Sequence, residues 1–123
     1  MRQVVVLNHS RPQSSPAKAL YCDTFFCQLR GLTFRRQLSL DEGLLLVQRT
    51  DSRLQAAIHM LGVWFDLAIV WINTDMRVVD VRLARSWRPI YLPKVPASYV
   101  LELSSERLNE FCVGDEVCFE EIN

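Results

Sequence analysis

Five side chains between positions 82 and 91 have the types and spacing to grip an anionic, ring-shaped ligand: Arg82, Arg85, Trp87, Arg88 and Tyr91. Guanidinium groups hold phosphate or carboxylate through paired N–H donors, and aromatic faces stack on bases or sugars. Such a set suits a small anionic ligand, a glycan or single-stranded nucleic acid. The plainer alternative is that the arginine stems cover a sheet face while Trp87 plugs a barrel end. A second constellation is His59 with Asp66 or Asp80, where a carboxylate-positioned imidazole would serve as general base of a hydrolase. Against it, His59 is more readily read as a structural histidine bonded to backbone within the sheet. No serine or cysteine sits in a nucleophile elbow, and four glycines form no phosphate loop.

The remaining polar clusters carry less. Asp41-Glu42 and the tail group Asp115, Glu116, Glu120 and Glu121 lack the close alternating oxygen ligands of a calcium loop, and read as solvated turn charges. Cys22, Cys27, Cys112 and Cys118 lack the two-residue spacing of a zinc ribbon or redox dithiol, so reduced, largely buried thiols are expected. Neither a metal nor a cofactor is expected.

The elements that must position these residues are mostly strands. Val4–Leu7 and Ala19–Tyr21 are short strand candidates, separated by a Pro/Ser-rich stretch. Phe25, Phe26, Leu29 and Leu32 recur at helical spacing and predict a short helix over about 24–31. Leu44–Val47 reads as a buried strand, and two central strands are predicted near Ala57–Met60 and Leu67–Ile72. Asn73–Met76 makes a hairpin turn into Arg77–Leu83, where Val79, Val81 and Leu83 alternate with polar neighbours. Tyr99–Leu103 returns as a strand, Ser104 or Ser105 caps a short helix to about Glu110, and Glu116–Phe119 is the last strand. The sum is a mainly β, single domain over 1–123: an antiparallel barrel or sandwich with two short helices.

With these segments in order, a resemblance emerges. Arg30-Gly31-Leu32 with Phe34-Arg35, then Glu42-Gly43-Leu44-Leu45-Leu46, resembles the opening of the prokaryotic family known as domain of unknown function 192. Ile58-His59-Met60, Val78-Val79-Asp80-Val81, Trp87-Arg88, Ala97, Val100-Leu101-Glu102-Leu103 and Gly114-Asp115 resemble its later segments, from about Tyr21 to Phe119. The resemblance implies a compact β-barrel or sandwich and no established reaction. The chain departs from it where the family carries Arg-Phe-Pro-Ile-Asp: here stand Trp64-Phe65-Asp66-Leu67-Ala68, so a basic and an acidic position are lost or relocated.

Charge narrows the partners. Fourteen basic and fourteen acidic residues cancel over 123, which excludes a general nucleic-acid binder but not a local patch. Residues 1–60 hold eight basic and four acidic side chains (8 − 4 = +4), and 61–123 hold six and ten (6 − 10 = −4). Four apolar residues after Arg2 are too few for a signal peptide, and no run suits a membrane-spanning helix, so a cytoplasmic location is expected. Contact side chains are present where a full catalytic set is not. A non-catalytic module for a small anionic or sugar-like ligand, or for a protein partner, is therefore favoured; a hydrolase using His59 is the alternative.

Overall fold

Leu67–Ile72 is apolar at every position, a pattern that suits a strand covered on both faces. In the computed structural model, which describes residues 2–13, 15–24 and 38–122, this segment is β4 and all six of its residues are buried. The other strands are β1 (Gln3–Asn8), β2 (Ala17–Cys22), β3 (Gly43–Ser52), β5 (Val78–Ala84), β6 (Ala97–Ser104) and β7 (Val117–Ile122). They form one seven-stranded sheet in the order β5-β4-β6-β3-β2-β1-β7, curled into a half-barrel. The mainly β, barrel-like architecture expected from the sequence is thus observed.

Two apolar clusters lie on its two faces. Val4, Val6, Ala17, Ala19, Leu45, Val70, Val78, Leu101 and Val117 belong to one that draws on all seven strands and is therefore the barrel interior. The other is made by Leu44, Leu46, Leu67, Ile69, Trp71 and Val100 together with Ala56, Ile58, Met60, Val63 and Tyr91. Those last five come from the loops 53–66 and 85–96, so a loop layer covers the outer face of the sheet. Gly43 permits the close β3–β6 approach: a Cβ there would meet Leu103 Cδ2 at 2.6 Å and the Glu102 carbonyl oxygen at 2.9 Å.

Three expectations change. β2 and β3 run parallel, Leu20 opposite Leu44, while the other strand pairings are antiparallel. Ala57–Met60 is not a sheet strand: Ile58 makes only an isolated bridge to Tyr91, because its backbone pairs with the opposing loop. The helix expected over 24–31 falls almost wholly outside the described residues. The second helix is a 3-10 turn, Ser105–Glu110, capped by Ser104 accepting from Glu106 N.

Two polar anchors fix the N-terminal segment to this frame. Arg107 is fully buried and donates to the carbonyls of Ser15, Pro16 and Leu40 and to Glu110 Oε1. Asp115 accepts two bonds from Arg11 at 2.6 and 2.8 Å, one from Asn8 Nδ2 and one from Cys112 N, both at 2.8 Å. At the same corner the sheet's outer strands meet. Val78 N donates to Asp115 O, Gly114 N to Val78 O and Val117 N to Met76 O.

The guanidinium of Arg11, with lesser help from Asn8 and Cys112 N, holds the Asp115 carboxyl down at about 2. A carboxyl depressed by folding stabilises above its unfolded value of 3.8, and that contribution is lost as the pH falls through about 2. It is on the order of 2 kcal/mol. Urea unfolding followed from about pH 5 to pH 2 is expected to show that loss, and Asp115→Asn to flatten it while lowering neutral-pH stability. Parallel acid curves for the two proteins would remove Asp115 from this role.

Candidate functional site

The β4–β5 hairpin carries both aspartates of the hydrolase reading, and it separates them. Asp80 is paired with Trp71, whereas Asp66 precedes Leu67, the partner of Ala84. Five residues of extended strand therefore divide their positions, about 16 Å at ~3.3 Å per residue. Each carboxylate is already engaged. Asp66 accepts from Ser86 N at 2.9 Å and from Arg85 Nη1 at 3.3 Å. Buried Asp80 accepts from Arg82 Nη2 at 2.8 Å and from Lys94 N at 3.0 Å. Together they pin the 85–94 loop at its two ends. His59 is exposed on the facing loop, with no hydrogen bond to either carboxylate among the described residues.

The two loops are zipped together by backbone bonds. Ile58 and Tyr91 exchange a pair at 3.0 and 2.9 Å, Met60 N donates to Arg88 O, and Trp87 N donates to Met60 O. Tyr91 is buried, its ring in the outer-face cluster and its hydroxyl accepting from Arg85 N at 2.8 Å. Arg82 also turns to the sheet, its guanidinium carbon 5.4 Å from the Trp71 ring centre. Of the five side chains between 82 and 91 singled out above, Arg85, Trp87 and Arg88 thus face solvent, while Arg82 and Tyr91 support the frame.

One of these three, Trp87, meets Trp64 from the facing loop. The two rings lie edge to face, centroids 5.1 Å apart at 82°. Even so, Trp64 remains 62% exposed and Trp87 47%. Leu61 and Ile90, on the same two loops, are exposed too. Trp87 has φ of 66°, a left-handed conformation that costs a bulky residue roughly 1–2 kcal/mol. In the sequence Trp64 stands where the resembled family has arginine, and with Trp71 it is one of two tryptophans of which an exposed one would mark a partner surface. Its partnership with Trp87 depends on the loop pairing, which no local pattern announces.

A polar residue of another kind lies beneath the loop layer. Glu102 on β6 is only 6% exposed, flanked across the sheet by Leu44 and Ile69, and accepts no hydrogen bond from the described residues. Burial pushes its carboxyl up to about 7.

Elsewhere, Cys22 is disulfide-bonded, which corrects the expectation of four reduced thiols; its partner lies outside the described residues. Cys112 and Cys118 are free, with His9 Nε2 at 3.1 Å from Cys118 Sγ. Burial, and then Glu120, pushes the Cys118 thiol up, so it is not an activated nucleophile. No three His, Cys, Asp or Glu side chains converge on a metal position among the described residues. No helix among them is long and apolar enough to cross a membrane.

The model of the family DUF192, described as an uncharacterized ACR, matches residues 6–119. A UPF0127 protein of Thermococcus kodakarensis is 31% identical over 98 residues, and one of Thermococcus gammatolerans 34% over 98, each across 80% of this chain. The chain spans 60% and 62% of those relatives' lengths. Among solved structures, a Sinorhizobium meliloti protein described as a "putative transcription regulator" superposes with a TM-score of 0.82 at 20% identity, covering 96% of this chain and 92% of its own. A Novosphingobium aromaticivorans protein of unknown function gives 0.76 at 24%, covering 94% and 83%. At these identities the two structures establish a shared fold.

Glu102 makes a measurable demand on stability. Its folded value of about 7 lies above the ordinary 4.5, so its contribution is complete below about 4.5 and is lost as the pH rises through about 7. The loss is on the order of 3 kcal/mol. Urea unfolding is expected to show the decline in the unaltered chain and its absence in Glu102→Gln. Equal slopes in both would mean that Glu102 is solvated.

Proposed function

The chain belongs to the prokaryotic DUF192 family, and on that premise we propose that it is a binding module whose contact surface is the Trp64–Trp87 pair with Arg85 and Arg88. The observation that carries this reading is the tryptophan pair itself. Two large rings touch each other, yet keep about half their surface in water, and one is held in a costly backbone conformation. Strain retained at an exposed aromatic suits a contact residue better than a core residue. The edge-to-face geometry leaves a ring face open for stacking. Arg85 and Arg88 place positive charge beside it, and His59 lies on the facing loop.

The ligand that fits is one with a ring face and a negative group, an acidic sugar being the simplest. A protein partner is the other occupant, but exposed paired donors and an open aromatic face favour the small anionic ring. A non-catalytic role accords with the engagement of Asp66 and Asp80 in holding the loop. On compartment, the disulfide at Cys22 weighs against the cytoplasm expected from the sequence, since cytosolic thiol pools keep such bonds reduced.

Isothermal titration with an oligogalacturonate, its neutral galactose counterpart and a nucleoside monophosphate tests the surface. Acidic ligands are expected to bind, less tightly as salt is added. Trp87→Gly, Trp64→Ala and Arg88→Ala should each weaken binding by about tenfold, or ~1.4 kcal/mol. Trp87→Gly is the cleanest variant, because glycine tolerates the left-handed backbone and removes only the ring. Unchanged affinity in all three variants, or no preference for the acidic sugar over the neutral one, would overturn the reading.

A further inference from the structure

Among the described residues eight large apolar side chains are exposed, and six of them stand on the two loops that cover the outer sheet face. These are Leu54, Leu61 and Trp64 on 53–66, and Trp87, Ile90 and Val95 on 85–96. Single exposed apolar residues are ordinary, but a concentration of them marks a contact surface. The same two loops carry four exposed cations, Arg53, Arg85, Arg88 and Lys94, against one acidic residue, Asp66 (4 − 1 = +3). Apolar and cationic groups are therefore interleaved over one layer of a chain whose net charge is zero.

Backbone geometry sets these groups on one side. The loops run next to each other: Arg53 Nε donates to Pro93 O at 2.9 Å, Ile58 and Tyr91 exchange their pair of bonds, and Met60 is bonded to Arg88 and Trp87. Alternate side chains of paired extended segments point to opposite sides. Ile58, Met60 and Tyr91 turn down into the cluster on the sheet, so His59, Leu61 and Ile90 turn up into solvent. Trp64 and Trp87 continue this strip at one end, ring against ring. Leu54 and Val95 continue it at the other, next in the chain to the Arg53–Pro93 bond. Asp66 and Asp80 pin the second loop at Ser86 and Lys94, so the strip keeps its shape before any partner arrives.

We propose that this strip docks peripherally on a bilayer surface that contains anionic lipid. Such a surface offers both chemistries at their own depths: a plane of phosphates for Arg53, Arg88 and Lys94, and hydrocarbon just beneath it for Leu54, Leu61 and Ile90. Tryptophan rings favour the boundary between the two, and long cationic side chains lay their stems in the apolar layer while the charge reaches the head groups. A second copy fits less well, because a two-fold contact through this face would set its four cations against four more. Docking of this kind needs no membrane-spanning helix. It rests on the reading of Trp64 and Trp87 as a contact surface, and adds the partner that carries the negative charge.

The experiment is sedimentation of the full chain with vesicles of equal parts phosphatidylglycerol and phosphatidylcholine, and with vesicles of phosphatidylcholine alone, while tryptophan emission is followed. Trp71 has no exposed surface, so a blue shift, and quenching by brominated lipid, report on Trp64 and Trp87. Binding to the anionic vesicles with both signals is expected, about tenfold tighter than to the neutral ones and weakened by salt. Leu61→Ser with Ile90→Ser should cut it by about tenfold, and Arg88→Gln with Lys94→Gln by a similar factor with a shallower salt dependence. Equal binding to neutral vesicles, sedimentation without a blue shift, or full binding by the Leu61→Ser, Ile90→Ser variant would overturn the docking. A free chain that runs as a dimer with its emission already blue-shifted would overturn it in favour of a second copy. Oligogalacturonate binding in solution without vesicle binding would overturn it too, yet leave the Trp64–Trp87 surface standing. Unchanged vesicle binding in Trp64→Ala and Trp87→Gly would count against both. Should a double variant fail to fold, quenching of the unaltered chain by brominated lipid decides alone.

Discussion

The Asp115 carboxylate is the tie on which the rest of the molecule depends. A curled sheet with free outer strands has to be held shut somewhere, and among the described residues its outer strands meet where Met76–Val78 runs beside Gly114–Val117. That corner keeps its shape because one carboxylate gathers Arg11, Asn8 and Cys112 N around the turn. Arg107 complements it from inside, satisfying three carbonyls of segments that belong to no strand pair or only border one. With the frame fixed at both places, the β4–β5 hairpin has a defined position. The two loops that cover its outer face can then pair with each other.

Strand positions were legible in the sequence wherever burial follows local alternation. β4 is apolar at each position, whereas β5 loses its alternation at a bulge, where Val79 packs on the outer face while Val78 and Val81 pack inside. Misreadings occur where long-range coverage decides. Ile58-His59-Met60 has strand-like composition, but its partner is Tyr91 in a loop, so it forms a bridge instead of joining the sheet. Asp80 and Glu102 occupy positions that alternation assigns to a wet face. The loop layer makes that face dry, and nothing near either residue in the chain signals it. The same holds for Trp64, whose contact with Trp87 is made across 23 positions by the pairing of two loops.

The polar residues of the hairpin hold the loop layer in place. Asp66 and Asp80 are the carboxylates on which a general-base reading of His59 calls. In space they act as two pegs, one receiving Ser86 N and the other Lys94 N, and the loop between them is stretched across the sheet. Arg82 spends its charge on Asp80 and its flat face on Trp71. This division of labour leaves Arg88 facing solvent, beside an Arg85 that is exposed but ion-paired with Asp66.

The pairing of β1 with β7 has a mechanical consequence. Gln3 lies opposite Ile122 and Asn8 opposite Val117, so the chain enters and leaves the sheet at the same end of two adjacent antiparallel strands. Tension applied beyond both strands would load their hydrogen bonds one after another, as in peeling tape, instead of all at once as in shearing a glued joint. Such a geometry yields at low force until the tear reaches His9 and Glu116. There the knot of Arg11 and Asp115 lies directly across its path, and the resistance to pulling rises in a single step.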